Sequence, residues 1–335
     1  MGFLQKNETN EDKAILLATL IVVLLAVLIR IHHLDFESLF MDELRQVSYY
    51  PHSLSQIVTD AATQQQPPLD YWIGHFFSKL SYSDFMVRLP AALFGVGSIL
   101  LMMLLIAKVT NWPTAWGAGI ILAVLPYHIY FSQHARPYSI AIFFTLATLY
   151  TLHLVITCSR NLWIYVLLFL ATTTCFLYSR TLAPLVTVAT LTAIFLFVIV
   201  LSFTKDRQYL AGIKDRFILA LFSVLISLVF YFPVLNKILS PGRRYADSPQ
   251  EFQISTIYNG LKSLSMTPIW ESYVTQLEPL GIIILPFILI APFLAWRSGT
   301  LKRNPVLSII ILLIPTVSLI NIAIFQAKTS LPFRP

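Results

Sequence analysis

AILLATLIVVLLAVLIRIHHLDFESLFMDELR, residues 14–45, decides how the rest of the chain is read. Its first part, 14–34, is apolar and long enough to cross a bilayer, for which a helix needs about 20 mostly apolar residues. Its end, Asp42-Glu43-Leu44-Arg45, sets two adjacent carboxylates and a guanidinium just past that run. The run lacks a small-x-small cleavage site and is preceded by Lys13, so it reads as a retained anchor rather than a secretory signal. The chain is 57% hydrophobic and only 12% charged. Ionisable groups gathered at the mouth of a spanning run, in so apolar a chain, point to chemistry at a membrane surface.

Outward from this stretch the same pattern recurs. A chain of 335 residues with 24 Phe, 15 Tyr and a positive mean hydropathy cannot bury its apolar surface in one water-soluble core. Nine candidate runs are predicted, at 14–34, 85–107, 114–132, 138–157, 161–178, 182–203, 217–238, 279–296 and 305–325. They are continuous rather than alternating, which favours helices over a barrel because unpaired backbone groups cannot face lipid. The expected fold is an all-α polytopic membrane protein, one domain over 1–335, with outer segments at 35–84 and 239–278. Lys205, Arg207, Lys214 and Arg216 between runs six and seven, and Arg297, Lys302 and Arg303 between eight and nine, set the orientation. The N-terminus is then cytoplasmic and 35–84 lies on the outer face of the cell membrane.

The net charge of +7 suits anionic lipid head groups, and its dispersal among apolar runs argues against a nucleic-acid partner. Cys158 and Cys175 fall in or beside predicted helices without zinc-like spacing. His75, His128 and His134 also lack a tight spacing, so ligand spacing does not support a divalent metal and no cofactor is assigned.

The segment 35–84 holds Asp35, Glu37, Asp42, Glu43, Asp60, Asp70 and Asp84 among aromatic residues. That mixture suits short helices lying in the interface. A helix through 41–50 would put Asp42 and Arg45 on one face. Pro67-Pro68 breaks the path, and a further helix is expected from Leu69 to Leu80. Arg88 sits four residues after Asp84 and is expected to pair with it. At the outer end of run three, linking it to run four, comes Leu125-Pro126-Tyr127-His128-Ile129-Tyr130-Phe131-Ser132-Gln133-His134-Ala135-Arg136-Pro137-Tyr138, denser in polar and aromatic groups than a simple turn requires.

Four pieces together resemble the prokaryotic membrane glycosyltransferases related to protein O-mannosyltransferases and aminoarabinose transferases. They are Asp42-Glu43-Leu44-Arg45; Gln66-Pro67-Pro68-Leu69 with Tyr71-Trp72; Arg88 to Gly95; and Tyr130 to Tyr138. The resemblance implies a C-type glycosyltransferase fold that moves sugar from a polyprenyl-phosphate carrier to an acceptor on the outer side of the membrane. It gives Asp42 the role of catalytic base, with Glu43 beside it. Arg45 and Arg136 become candidates for the carrier phosphate, since a guanidinium offers phosphate a bidentate fork. Gln66, Tyr138 and Arg180 complete the candidate substrate-binding set. Glycolipid, polysaccharide and protein are all open as acceptors.

Two departures bear on this reading. Relatives often place His, or a Glu-Lys pair, before the double proline, where this chain has Gln65-Gln66. They also commonly carry a longer C-terminal part, and the chain is read as short for its type or cut after Pro335. The rival reading is a flippase or transporter of lipid-linked saccharides. A transporter should place ionisable or helix-breaking residues near the midplane of several runs, whereas the charges here gather at their edges.

Overall fold

The computed structural model describes residues 2–158, 160–181, 183, 187 and 207–239, and among these it is all helical. The described residues include ten helices: α1 (Gly2–Ile31), α2 (Met41–Val47), α3 (Leu54–Thr63), α4 (Leu69–Ser78), α5 (Asp84–Val109), α6 (Trp112–Val124), α7 (Pro126–Ser132), α8 (Tyr138–Thr157), α9 (Leu162–Ser179) and α10 (Arg207–Leu239). Two compact units divide the chain, Met1–Ala183 with Ile218–Leu239, and Pro184–Phe217 with Ser240–Pro335. The site described below lies in the first.

Among the described residues, five helical stretches are long and apolar enough to cross a membrane: Glu11–Ile31, Asp84–Val109, Tyr138–Thr157, Leu162–Ser179 and Asp215–Ile238. The protein is therefore a multi-pass membrane protein. Predicted runs eight and nine lie outside the described residues, as does run six apart from 183 and 187, and the second outer segment beyond 239.

Run three departs from expectation. It is not one straight span but α6 and α7, bent by 64° at Leu125-Pro126. Pro126 has no N–H to donate back into α6, and the residue before a proline is pushed out of the helical region. Leu125 accordingly sits at φ −65, ψ 117. The break re-aims everything from Pro126 to Arg136.

Within the bundle, α5 is the central post, packing on α1, α6 and α8, while α8 packs on α9. Small residues let these helices approach: Ala26, Ala115 and Ala123 share one buried cluster with Val22, Ile99 and Met103. Ends are set by local chemistry, with Ser83 accepting from the Met86 N–H and Asn111 from the Thr114 N–H.

The segment between α1 and α5 folds as three short helices around a second cluster, Val47, Tyr50, Ile57, Ala61, Tyr71, Val87 and Ala135. Tyr50 lies so close over α4 that a Cβ at Gly74 would fall inside its ring. The helix expected over 41–50 stops at Val47, where the Ser48 hydroxyl takes the Arg45 carbonyl. At the end of α3 the Gln66 N–H reaches the Ala61 carbonyl and the Gln65 N–H that of Ala62. This is a Schellman turn with Gln65 at φ 55, in the left-handed position glycine usually holds. It aims the chain directly into Gln66-Pro67-Pro68.

Candidate functional site

The site starts from α2, whose seven residues split the two carboxylates. Glu43 faces inward with Gln46 and Val47, while Asp42 and Arg45 face out. Glu43 is 0% exposed. Arg88, from α5, grips it with two parallel bonds, Nη2 to Oε2 at 2.8 Å and Nε to Oε1 at 3.0 Å. The Phe40 N–H donates to Oε2 at 3.0 Å, capping α2, and the Ala135 N–H donates to Oε1 at 2.7 Å. Burial pushes the Glu43 carboxyl up, but Arg88 and the two N–H donors outweigh it and hold the group below its ordinary value.

Arg88 spends its remaining donors on the loop after α1, at Leu34 O (3.0 Å), Glu37 O (2.7 Å) and Ser38 O (3.2 Å). The pairing of Arg88 with Asp84 expected from their spacing is thus replaced by one across 45 positions. A fully buried carboxylate needs a charged partner more than the half-buried first-turn Asp84 does. Glu43 and Arg88 together pin α2, α5, the post-α1 loop and the link after α7 at one point.

Asp42 has the opposite surroundings. Its side chain is 51% exposed, and Arg136 Nη2 stands 3.6 Å from Oδ2, with Nη1 3.4 Å from the Asp42 carbonyl. Tight charge-assisted contacts run about 2.7–2.9 Å. The pair is therefore loose. Arg45, the nearer partner in sequence, is exposed and lies within electrostatic reach of Tyr71.

The link between α7 and α8 collects the remaining candidates. Arg136 follows Ala135, whose N–H is fixed on Glu43, so one anchor sets the height of the guanidinium. Tyr138 opens α8, its ring stacked on Phe131 at 4.3 Å between centroids, with the Arg180 guanidinium 4.1 Å over it. Burial lowers the Arg180 pKa, the charge of Tyr138 and a hydrogen bond to it pull the other way, and the charge of Arg136 adds a smaller lowering. Next to Arg180, the Thr181 hydroxyl donates to the Gln65 carbonyl and lies 3.4 Å from Gln66 Oε1. The structure thus brings Arg136, Tyr138, Arg180 and Gln66 into one group, from three separate pieces of sequence.

One member escaped sequence reasoning. Asp70, in the first turn of α4, is buried and bonded by Gln46 Nε2, which also reaches the Tyr50 hydroxyl at 3.2 Å. Burial raises its pKa to about 6, against opposing pulls from Gln46 and Arg136. The available signal was its position two residues after the double proline, where the chain turns back toward α2.

Beside α2 a cavity of about 570 Å³ is lined by Glu37, Ser38, Leu39, Phe40, Met41, Arg88, Tyr130 and His134. His134 Nδ1 donates to the Tyr130 carbonyl at 2.7 Å, His75 Nδ1 donates to that of Tyr50 at 2.6 Å, and His128 faces Arg30. The three histidines stand apart. Among the described residues no group of three or more His, Cys, Asp or Glu could hold a metal ion.

The model of the dolichyl-phosphate-mannose-protein mannosyltransferase family matches residues 65–235, just over half of the chain. Among solved structures, the oligosaccharyltransferase AglB of Archaeoglobus fulgidus, in complex with an inhibitory peptide and a dolichol-phosphate, is 13% identical, with a TM-score of 0.52 over 90% of this chain. An Archaeoglobus fulgidus oligosaccharyltransferase in complex with Zn and sulfate is 14% identical, with a TM-score of 0.53 over 93% of this chain. The chain covers 39% and 48% of those two proteins' own lengths. No curated protein sequence matches significantly. The likeness establishes the fold expected from the sequence resemblance.

Proposed function

Because this chain belongs to the dolichyl-phosphate-mannose-protein mannosyltransferase family, we propose that it is an integral-membrane glycosyltransferase drawing sugar from a polyprenyl-phosphate carrier, with Asp42 as its base. The observation that carries the reading is the division of labour on α2. Glu43 is sealed and paired, while Asp42 is half-exposed and loosely held.

The chemistry needs a proton acceptor and a cationic seat for the leaving group. In the proposed step the acceptor hydroxyl oxygen attacks the anomeric carbon. The bond from that carbon to the carrier phosphate breaks, its electron pair stays on phosphate oxygen, and the hydroxyl proton passes to Asp42. The carrier leaves as polyprenyl phosphate and the anomeric configuration inverts. General-base assistance of this kind contributes about 10²–10⁴-fold.

Arg136, with Arg180 beside it and Arg45 on the outward face of α2, supplies positive charge for the phosphate. The Arg136–Asp42 separation of 3.6 Å lets an incoming phosphate take the guanidinium without breaking a tight ion pair. Tyr138 and Gln66 hold Arg180 and its neighbour Thr181 in register. Glu43 works as a positioning residue, fixing the relative height of Asp42 and Arg136 through Arg88 and Ala135. The cavity one residue before Asp42, with Glu37, Ser38, Tyr130 and His134 in its wall, suits a hydroxyl-rich ligand. The reaction takes place on the outer face of the cell membrane, with the N-terminus cytoplasmic, and the acceptor is a glycolipid, a polysaccharide or a protein.

The test is transfer from a radiolabelled panel of polyprenyl-phosphate sugars into membrane acceptors by the full chain. Labelled product formed only when the protein is present supports the reading and identifies the acceptor. No transfer over the whole panel overturns it.

A further inference from the structure

A fully buried arginine in a membrane-spanning helix is expensive, and such a residue persists where its hydrogen bonds do something. Arg30, in the last turn of α1, is 0% exposed. Its Nη1 donates to Ala26 O at 3.2 Å within its own helix and to Ala123 O at 3.1 Å. Its Nη2 donates to Leu122 O at 3.3 Å and to His128 Nδ1 at 2.7 Å. Ala123 and Leu122 are among the last carbonyls of α6, left without helical partners by the break at Pro126. Arg30 therefore caps the broken helix from a neighbouring span. By holding His128 on the first turn of α7, it also fixes both sides of the 64° bend.

The cap is returned from the other side. Gln133, just past α7, sends Nε2 to Ile29 O (3.2 Å), Arg30 O (3.3 Å) and His32 O (3.2 Å), the open end of α1. Ser132 sits between, its hydroxyl on the His128 carbonyl at 2.5 Å. On α5, Gly95 leaves the space: a Cβ there would fall inside the Ser132 side chain and 3.3 Å from Arg30 Nε. Two helix ends thus cap each other, and beyond His134 the chain continues into Ala135, on Glu43, and Arg136, on Asp42.

We infer that the reciprocal Arg30–Gln133 cap is the device that positions Arg136 against Asp42, making Arg30 a positioning residue for the carrier-phosphate seat although it lies in the membrane-spanning α1. The inference rests on the proposed role of Arg136. A planar fork that reaches three carbonyls, two of them on α6, and a ring nitrogen at once is the feature required, and lysine, a point donor, cannot reproduce it. Loss of register by an ångström at such a seat costs on the order of 10²-fold.

The experiment uses the full chain in liposomes, with equilibrium binding of a short-chain polyprenyl phosphate and transfer kinetics as readouts. Arg136→Ala tests the underlying reading: if it leaves polyprenyl-phosphate affinity unchanged, the phosphate seat itself is misassigned. Given that it weakens binding, Arg30→Lys and Gln133→Met should each weaken it about 10–100-fold. Combined with Arg136→Ala, neither should lower affinity further, because both act through that residue. Full additivity in the double variants, or unchanged binding in both single variants, overturns the inference. Should Arg30→Lys fail to fold, Gln133→Met, which keeps the buried arginine, decides alone by the same two criteria.

Discussion

Two neighbours on one helical turn, Asp42 and Glu43, sit in opposite regions of the molecule. The Glu43 side is dry: a carboxylate with no exposure, four donors converging on it from Arg88, Phe40 and Ala135, and a guanidinium that in turn ties down three loop carbonyls. The Asp42 side is wet and slack, with one guanidinium at 3.6 Å and half its surface open. Adjacent acidic residues are therefore not a dyad. One holds the frame, and the other is left half-exposed and loosely paired, which is why the base is proposed there.

The contrast can be broken first at Glu43. Removing one partner of a buried ion pair strands the other charge, at a cost of about 3–5 kcal/mol. Glu43→Ala and Arg88→Met should each lower the unfolding midpoint strongly, and the double variant should recover part of the loss. A thermal melt of the three proteins checks it, and strictly additive losses would dissolve the strut. Asp42→Ala, by contrast, should leave the midpoint within about 0.5 kcal/mol of wild type, as for an exposed surface position.

Asp70 sharpens the comparison with pH. Its carboxyl is raised from 3.8 to about 6, so the folded state holds a proton that the unfolded state releases between those values. Stability from this group is present at low pH and lost as pH rises toward about 6, amounting to about 3 kcal/mol at most. Asp70→Asn removes that dependence. The midpoint of the variant relative to wild type should climb between pH 4 and pH 7, and a flat difference would contradict the burial assigned to Asp70. Glu43 has the opposite sign, its contribution falling away as pH drops below its ordinary range, near 4.5.

The smallest effect expected is at Gln65, whose φ of 55 costs a residue with a Cβ about 1 kcal/mol. Gln65→Gly should stabilise the turn by up to about that amount in a chemical-denaturation series. A loss of stability would mean that the Gln65 side chain, not its backbone, carries the turn.

Much of the bundle was legible because a bilayer leaves few options: 85–107, 138–157, 161–178 and 217–238 read as spans from hydropathy alone, and helices of those bounds are present. Local signals also served at Pro67-Pro68, after which α4 begins at Leu69. What escaped was non-local or competitive. The break in run three was hidden because apolar residues flank Pro126 on both sides, so composition outvoted the proline. Spacing gave Arg88 to Asp84, four residues away, whereas burial gave it to Glu43. Spacing likewise grouped Arg45 with Asp42, while Arg136 arrived from 94 positions along the chain. Arg30 was absorbed into an apolar run, since one charge near the end of a span is ordinarily a snorkelling residue.

The most direct measurement compares Asp42→Asn with wild type, side by side, for sugar transfer from a polyprenyl-phosphate donor and for the unfolding midpoint of the full chain. The expected result is transfer reduced by 10²-fold or more, with the midpoint unchanged. Transfer equal to wild type at matched expression would contradict the assignment of the base. Transfer lost together with a large drop in midpoint would place Asp42 in the frame with Glu43 and end the distinction between them.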